Sequence, residues 1–269
     1  RLIATEACRR AKNSKEFISK VYAQTGLKLN IIDTEEEARL AVISCAPLVS
    51  SKSEQLLVVD IGGGSTELVW IDLTSVPPHE RPKSIMRLHA GFHSVESPFA
   101  SAKVVDWISV PLGVATLRDQ FNDVEDDAAR FALMSWFFEE KLADFAPYKE
   151  NKVDTSFQII GTSGTVTTVA SSHLGLRRYD RTKVDGLRMT TEQIDRVIRS
   201  YLDMGPEGRK KDVRIGRDRQ ALIMSGSAIL QAMLRSWPTD KLTVADRGLR
   251  EGLLYAQMSA NGVLEDAIL

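Results

Sequence analysis

The sequence predicts a mixed α/β protein built from two domains. Two observations carry this prediction: apolar strand-like runs alternate with segments of helical periodicity, and glycine-rich turns follow two of the predicted strands. The chain has 269 residues, of which 43% are hydrophobic, so we expect a sizeable core. Its net charge of −1 argues against a surface that binds duplex nucleic acid, so any anion site has to be local.

The first 50 residues have the order strand, helix, strand, helix. The predicted elements are a strand ending at residue 5, a helix over 6–25 closed by Gly26, a strand over 27–32 and a helix over 35–46 ended by Pro47. A polar run at 50–54 then marks a domain boundary. We therefore assign residues 1–50 to the first domain and 51–269 to the second, with the C-terminal helix packing back on the first.

Strands and helices also alternate in the second domain. Strands are predicted at 56–59, 68–73, 157–160 and 242–244, and helices at 130–145, 165–174, 191–203 and 217–234, with a final helix after Gly248. The segment 75–106, which has three prolines among its first eight residues, has no clear pattern.

The strongest chemical signal is the sequence Asp-Ile-Gly-Gly-Gly-Ser-Thr-Glu at 60–67. Three consecutive glycines let the backbone approach a phosphate closely and direct amide hydrogens at it. A Walker loop or a dinucleotide loop would pass into a helix, whereas this turn passes into a strand. A glycine hairpin with an acid on each side, Asp60 and Glu67, indicates a phosphate loop of the actin-like kind.

A second glycine element, Gly161-Thr162-Ser163-Gly164, lies between a predicted strand and a predicted helix. The free amides and the dipole of a helix N-terminus favour an anion, so this turn fits the opposite side of the same cleft.

Acidic residues at 35–37 open the second predicted helix, with Thr34 and Glu37 in capping-box spacing. Solvated acids are common at helix starts. A carboxylate just before the domain boundary would nevertheless face Asp60 and Glu67 across a cleft. Phosphoryl transfer to water needs a base, a metal that neutralises charge, and donors around the phosphate oxygens, and these residues are candidates for those roles.

Five blocks taken together resemble the exopolyphosphatase and guanosine pentaphosphate phosphohydrolase (Ppx/GppA) family. They appear in the family's order and cover most of the chain, at residues 4–13, 36–40, 60–67, 161–165 and 247–252. The resemblance implies an actin-like, ribonuclease H-like two-domain fold of the kind found in acetate and sugar kinases, Hsp70 and actin. It further implies a magnesium-dependent phosphatase, cytoplasmic and homodimeric, whose substrate is polyphosphate or guanosine pentaphosphate.

The resemblance also implies roles for individual residues. Glu37 would activate water, with Glu36 as the alternative, and Asp60 and Glu67 would hold Mg²⁺ or orient the nucleophile. The phosphate-binding candidates are Gly62, Gly63, Gly64, Ser65, Thr66, Gly161, Thr162, Ser163, Gly164, Arg9 and Arg250. For Arg9 a structural role is an equal alternative, and for Arg247 and Arg250 a structural role near the final helix is the favoured one.

The family pattern normally starts with a further aspartate-headed phosphate loop, which would precede Arg1. We therefore expect the first domain to be incomplete at its N-terminus, which leaves the activity of this chain alone open. Two other functions stay open as well: a small-molecule kinase of the same superfamily, and a sensor that binds a guanosine alarmone without turnover.

Two further features have ordinary explanations. The histidines His79, His89, His93 and His173 lack the spacing of a helical metal-binding pair. A basic cluster at 209–219 is typical of a solvated face, although it could also steer a polyanion. The sequence shows no run of about 20 apolar residues that would span a membrane.

Overall fold

A computed structural model describes residues 1–92, 101–150 and 154–263, so His93 lies outside the described residues. The first 31 residues form a small layer of two parallel strands, β1 (Leu2–Ala4) and β2 (Leu29–Ile31). Between them, the single helix predicted over 6–25 is two helices, α1 (Glu6–Arg10) and α2 (Ser14–Thr25), separated by a turn at 11–13. Gly26 caps α2 at a φ of 71°, as its position predicted.

A second sheet of six described strands dominates the molecule. Its strands are β3 (Gln55–Ile61), β4 (Thr66–Asp72), β5 (Lys103–Val110), β6 (Phe157–Thr162), β7 (Arg188–Met189) and β8 (Leu242–Ala245). Their order across the sheet is β5-β4-β3-β6-β8-β7. The β3–β4 pair is an antiparallel hairpin, whereas β6 runs parallel to both β3 and β8. The carboxyl ends of β3, β6 and β8 therefore meet at one edge of the sheet.

Helices cover both faces of this sheet. They are α3 (Thr34–Ser44), α4 (Arg81–Arg87), α5 (Val114–Gln120), α6 (Asp127–Glu140), α7 (Ala146–Glu150), α8 (Gly164–His173), α9 (Arg181–Val184), α10 (Thr191–Lys211), α11 (Ile223–Ser236) and α12 (Leu249–Ala260). Alternate residues of β3 enter two separate cores: Leu57 and Val59 pack in one, and Leu56 and Val58 in the other. Burial on both faces explains why this strand is a continuous apolar run.

Helix α12 packs on α3. A Cβ on Gly252 would lie 2.7 Å from the carbonyl carbon of Leu40, so only glycine allows these two helices to approach so closely. Because α3 also packs on the large sheet through Ala38 and Val42, the domain division at residues 50 and 51 stays a prediction.

The sequence missed two elements that prove important for the site. Strand β5 and helix α5 lie where no element was predicted, beside the phosphate-loop hairpin. Helix α10 extends beyond the predicted end through a break at Gly205, and α11 begins only at Ile223, after a short 3₁₀ turn at 217–219. No helix in the described ranges is long and apolar enough to cross a membrane.

Candidate active site

The first glycine turn closes the β3–β4 hairpin, as predicted. Asp60 pairs with Glu67 across the two strands, and the Gly62 amide donates to the Ser65 carbonyl, 2.9 Å away. The carboxylates thus flank a tight turn at the sheet edge where the parallel strands end.

Helix α5 fixes the orientation of this turn. The amides of Val114 and Ala115 donate to the carbonyls of Gly62 and Gly63, each at 2.9 Å, and the Thr116 hydroxyl donates to the Gly64 carbonyl at 3.2 Å. In a planar trans peptide the next N–H points opposite to the carbonyl, so the amides of residues 63, 64 and 65 point away from α5.

The amides of Gly63 and Gly64 have no acceptor within the described part of the chain. Unpaired N–H groups that point in one direction from a glycine turn form an anion-binding concavity. Of these two residues Gly63 lines the cleft, so its amide can donate to an anion bound there, and phosphate binding by this turn stays a prediction.

The second glycine turn lies across the cleft and starts α8. Ser163 caps the helix by accepting from the Val166 amide at 3.0 Å, which leaves its N-terminal dipole directed at the same space. Gly161 is buried behind the turn, where a Cβ would contact Val166, so it shapes the turn and does not line the cleft.

Arg219 reaches the cleft over this turn. A Cβ on Gly164 would collide with the Arg219 guanidinium, so only a glycine leaves space for this cation at the start of α8. Among the described residues, no carboxylate forms an ion pair with Arg219. The sequence analysis placed Arg219 in a basic cluster and missed its place in the site, because no local pattern shows that the 3₁₀ turn at 217–219 meets the start of α8.

Glu37 lies in the first turn of α3 and is only 6% exposed. The actual N-cap of this helix is Asp33, which accepts from the Glu36 amide at 2.7 Å, and not Thr34 as the capping-box spacing suggested. The Glu37 Oε2 atom accepts from Arg9 Nη2 at 2.6 Å, whereas Oε1 has no donor among the described residues. One oxygen of the carboxylate is therefore free to accept a proton from water.

The structure gives Arg9 a different place from the predicted phosphate contact. Its guanidinium donates to Glu6 at 3.0 and 3.2 Å, to Glu37, and to the Ile32 carbonyl at 2.8 Å, and it does not line the cleft. Because its donors are occupied in this way, Arg9 orients Glu37. This is the structural role that the sequence analysis gave as the alternative for Arg9.

Glu36 also lies away from the cleft. Its carboxylate is 2.7 Å from Arg1 Nη2 and within 4.0 Å of Arg39. Consecutive residues of a helix point about 100° apart, so only one of Glu36 and Glu37 can face a given cleft, and here it is Glu37.

Burial changes the acidity of the hairpin carboxylates. Desolvation, and then the charges of Glu67 and Glu37, raise the pKa of Asp60 from 3.8 to about 8. Desolvation raises the pKa of Glu67 to about 7. The charge of Glu37 also raises this pKa, whereas a hydrogen bond from Ser65 lowers it. The charge of Glu37 thus raises the pKa of both Asp60 and Glu67, and a cation bound beside these carboxylates would relieve that repulsion.

The loop from β8 to α12 forms the third wall of the cleft. Arg247 is held by Asp185 at 2.8 Å and donates to the Tyr255 hydroxyl at 3.1 Å, which assigns it a structural role. Arg250 is exposed, lines the cleft and makes no ion pair among the described residues. Arg250 can therefore reach a bound anion.

These walls enclose a cavity of about 440 Å³. It is lined by Glu37, Asp60, Gly62, Gly63, Thr162, Ser163, Gly164, Arg219, Arg250 and the loop at 245–249, among others. Three of the predicted residues are buried beneath the cavity: Ser65, Thr66 and Glu67. The Thr66 hydroxyl donates to the Leu112 carbonyl, 2.8 Å away. Some of the predicted residues therefore converge on one space, namely Glu37, Asp60, Gly62, Gly63, Thr162, Ser163 and Gly164, whereas Gly64, Ser65, Thr66 and Gly161 do not line it.

The family model described as the Ppx/GppA phosphatase family matches residues 1–261. The chain belongs to the Ppx/GppA phosphatase family.

Several solved structures are similar to this chain. The structure of the Aquifex aeolicus member of the Ppx/GppA family is 30% identical, with a TM-score of 0.72, and the match covers 96% of this chain and 74% of that one. An exopolyphosphatase-like protein is 25% identical, with a TM-score of 0.76 and coverages of 96% and 78%. An exopolyphosphatase from Cytophaga hutchinsonii, at 20% identity and a TM-score of 0.75, is similar in fold. The actin-like two-domain class expected of this family is thereby confirmed.

A curated relative, the guanosine-5'-triphosphate,3'-diphosphate pyrophosphatase of Aeromonas salmonicida, is 27% identical over 267 residues. The match covers 97% of this chain and 45% of the relative, so the chain spans about half the length of that protein.

The donor set of this Ppx/GppA chain fits a hard divalent cation. The described residues contain no group of three or more His, Cys, Asp or Glu side chains arranged as a metal site. Mg²⁺, however, is commonly bound by one or two carboxylates with substrate phosphates completing the shell, and Asp60 and Glu67 supply such oxygens beside the phosphate loop.

Proposed function

We propose that this protein hydrolyses the terminal phosphate of linear polyphosphate or of guanosine pentaphosphate, with Mg²⁺ as cofactor. The observation that supports this most is the convergence of the glycine turn, through the unpaired amide of Gly63, and the free oxygen of Glu37 on one cavity. Amides bind and orient a phosphoryl group, and a carboxylate facing the same space can activate water.

Each of these residues has its own role in the proposed reaction. The amides of Gly63 and Gly64 and the start of α8 bind the terminal phosphate, and Arg219 and Arg250 bind its neighbours along the chain. Glu37 accepts a proton from the attacking water while Arg9 holds its other oxygen. Bound Mg²⁺, held by Asp60 and Glu67, would neutralise charge on the phosphate oxygens.

Phosphate release in the absence of any acceptor is the first test, because a kinase would need an acceptor and a sensor would release none. We expect Glu37→Gln to lower kcat about 10²–10³-fold, since loss of a general base typically costs this much. Glu36→Gln is the matched control, because its carboxylate contacts Arg1 outside the cleft, and it should retain parental kcat. Equal losses in the two variants would refute the assignment of the base.

The same proposal includes a homodimer in the cytoplasm, as the family resemblance implies. Both cysteines are free in the structure, which suits a reducing compartment. Sedimentation of the protein at micromolar concentration tests the dimer.

A further inference from the structure

The loop between β8 and α12 forms one wall of the cleft without regular structure of its own. Residues 246–248 connect the two elements and belong to no helix or strand. Residues 245–251 all line the cavity, and Arg250 is the cation that this wall offers to an anion. The place of Arg250 therefore depends on what holds the loop.

A carboxylate outside the cleft holds this loop at two consecutive residues. Asp185 directly follows α9, and its side chain is only 15% exposed. Its Oδ1 atom accepts from the Asp246 amide at 3.0 Å. Its Oδ2 atom accepts from Arg247 Nη2 at 2.8 Å and from Arg247 Nε at 3.0 Å. Because charge-assisted hydrogen bonds are roughly twice as strong as neutral ones, Asp185 fixes both the backbone and a side chain of the loop.

Arg247 passes this constraint to the second glycine turn and to α12. Its carbonyl accepts from the hydroxyl of Thr162, which lines the cleft at the end of β6. Its guanidinium also donates to the Tyr255 hydroxyl of α12 at 3.1 Å. Asp185 itself does not line the cavity, so it can act on the cleft only through the residues that it holds.

Arg247 depends on this one acid. Among the described residues, no other carboxylate forms an ion pair with Arg247, whose side chain is 22% exposed. A largely buried cation that loses its partner is strongly unfavourable, so the guanidinium would turn away and move the loop with it. We infer that Asp185 is a positioning residue, which holds the β8–α12 loop so that Arg250 meets the bound phosphates. The inference rests on the proposed function, because it concerns the same cleft.

The isosteric variant Asp185→Asn tests this inference. Its amide oxygen can still accept from the Asp246 amide, but its NH₂ group cannot accept from Arg247 and carries no charge. The matched control is Asp127→Asn, which breaks a comparable pair outside the cleft. Asp127 is 20% exposed and accepts from Arg209 at 2.7 and 2.8 Å. All variants are compared at a temperature where urea unfolding shows them to be fully folded.

A double-variant cycle with Arg250→Gln separates positioning from general destabilisation. Phosphate release from tripolyphosphate gives kcat and KM, and calorimetry in a Glu37→Gln background gives the Kd. We expect Asp185→Asn and Arg250→Gln each to raise KM and Kd about tenfold, with a much smaller change in kcat, because both lose the same contact with the bound substrate. The two changes together should raise KM and Kd little more than either alone, and Asp127→Asn should keep the parental values.

Hydrogen–deuterium exchange supplies a readout that needs no substrate. Amides at 245–251 should exchange faster in Asp185→Asn than in the parent, whereas Asp127→Asn should leave them unchanged. Additive effects of Asp185→Asn and Arg250→Gln on KM and Kd, or parental exchange in this loop, would overturn the inference. If the parent neither binds nor hydrolyses tripolyphosphate, the proposed function fails, and exchange still decides whether Asp185 holds the loop.

Discussion

Alanine at position 113 should distort the phosphate loop while leaving its sequence intact. Gly113 precedes α5 and lies against the turn, where a Cβ would come within 2.5 Å of the Gly63 carbonyl carbon and 2.6 Å of the Gly64 nitrogen. Its φ of −114° is open to alanine, so the substitution acts through this contact and not through backbone strain.

The size of the effect follows from these distances. Ordinary contacts of a Cβ begin at 3.4 Å, so the loop or α5 has to move by roughly 1 Å. Overpacking of this kind typically costs about 1–3 kcal/mol of stability. A misplacement of about 1 Å in a positioned site lowers the rate about 10²-fold, equivalent to about 2.7 kcal/mol in the activation free energy.

Phosphate release at saturating Mg²⁺, together with urea unfolding, separates the two effects. Gly208→Ala is the control for overpacking away from the loop, because the added Cβ there would come within 2.8 Å of the Met204 Cβ and meet no residue of the cleft. We expect Gly113→Ala to lose about 10²-fold in kcat/KM at a temperature where it is fully folded, and Gly208→Ala to keep parental activity. A folded Gly113→Ala protein with parental kcat/KM would show that the α5 contact does not position the loop.

Three other predictions concern the cleft. Burial raises the pKa of Asp60 to about 8, so its protonated form stabilises the fold at low pH and that contribution is lost as pH rises toward 8. In urea unfolding with a chelator present, the parent should lose about 3 kcal/mol in its free energy of unfolding between pH 5 and pH 8, and Asp60→Asn should not show this loss. Parallel pH dependences of the two proteins would contradict this. Arg9→Met should lower kcat more than it raises KM, because Arg9 orients Glu37 and does not touch substrate. Arg9→Lys should recover part of the kcat. A change in KM alone would instead favour a phosphate contact. Gly164→Ala should displace Arg219 and raise KM about tenfold in phosphate-release assays, and an unchanged KM would mean that Arg219 does not bind substrate there.

Short-range chemistry made the phosphate loops predictable. The pattern is local: a strand ends at Asp60, three glycines follow, and a second strand begins. The structure has this hairpin where it was expected. The start of α8 was predictable for the same reason, since Ser163 is a standard helix cap.

Contacts between distant segments decided what local patterns could not. The choice between Glu36 and Glu37 depends on which side of α3 faces the hairpin, and the place of Arg9 depends on an ion pair across 28 positions. The sequence offers two adjacent acids and an arginine of suitable chemistry, but the direction of a side chain is fixed only when its helix is packed.

By itself, the sequence determined the family, the two glycine turns and the acids around them, because backbone freedom at glycine and strand hydrophobicity act over a few residues. Only the tertiary structure decided that α5 holds the carbonyls of the first loop and that Arg219 lies over Gly164. These features arise where segments separated by 50 or more positions pack together, and packing depends on the whole chain.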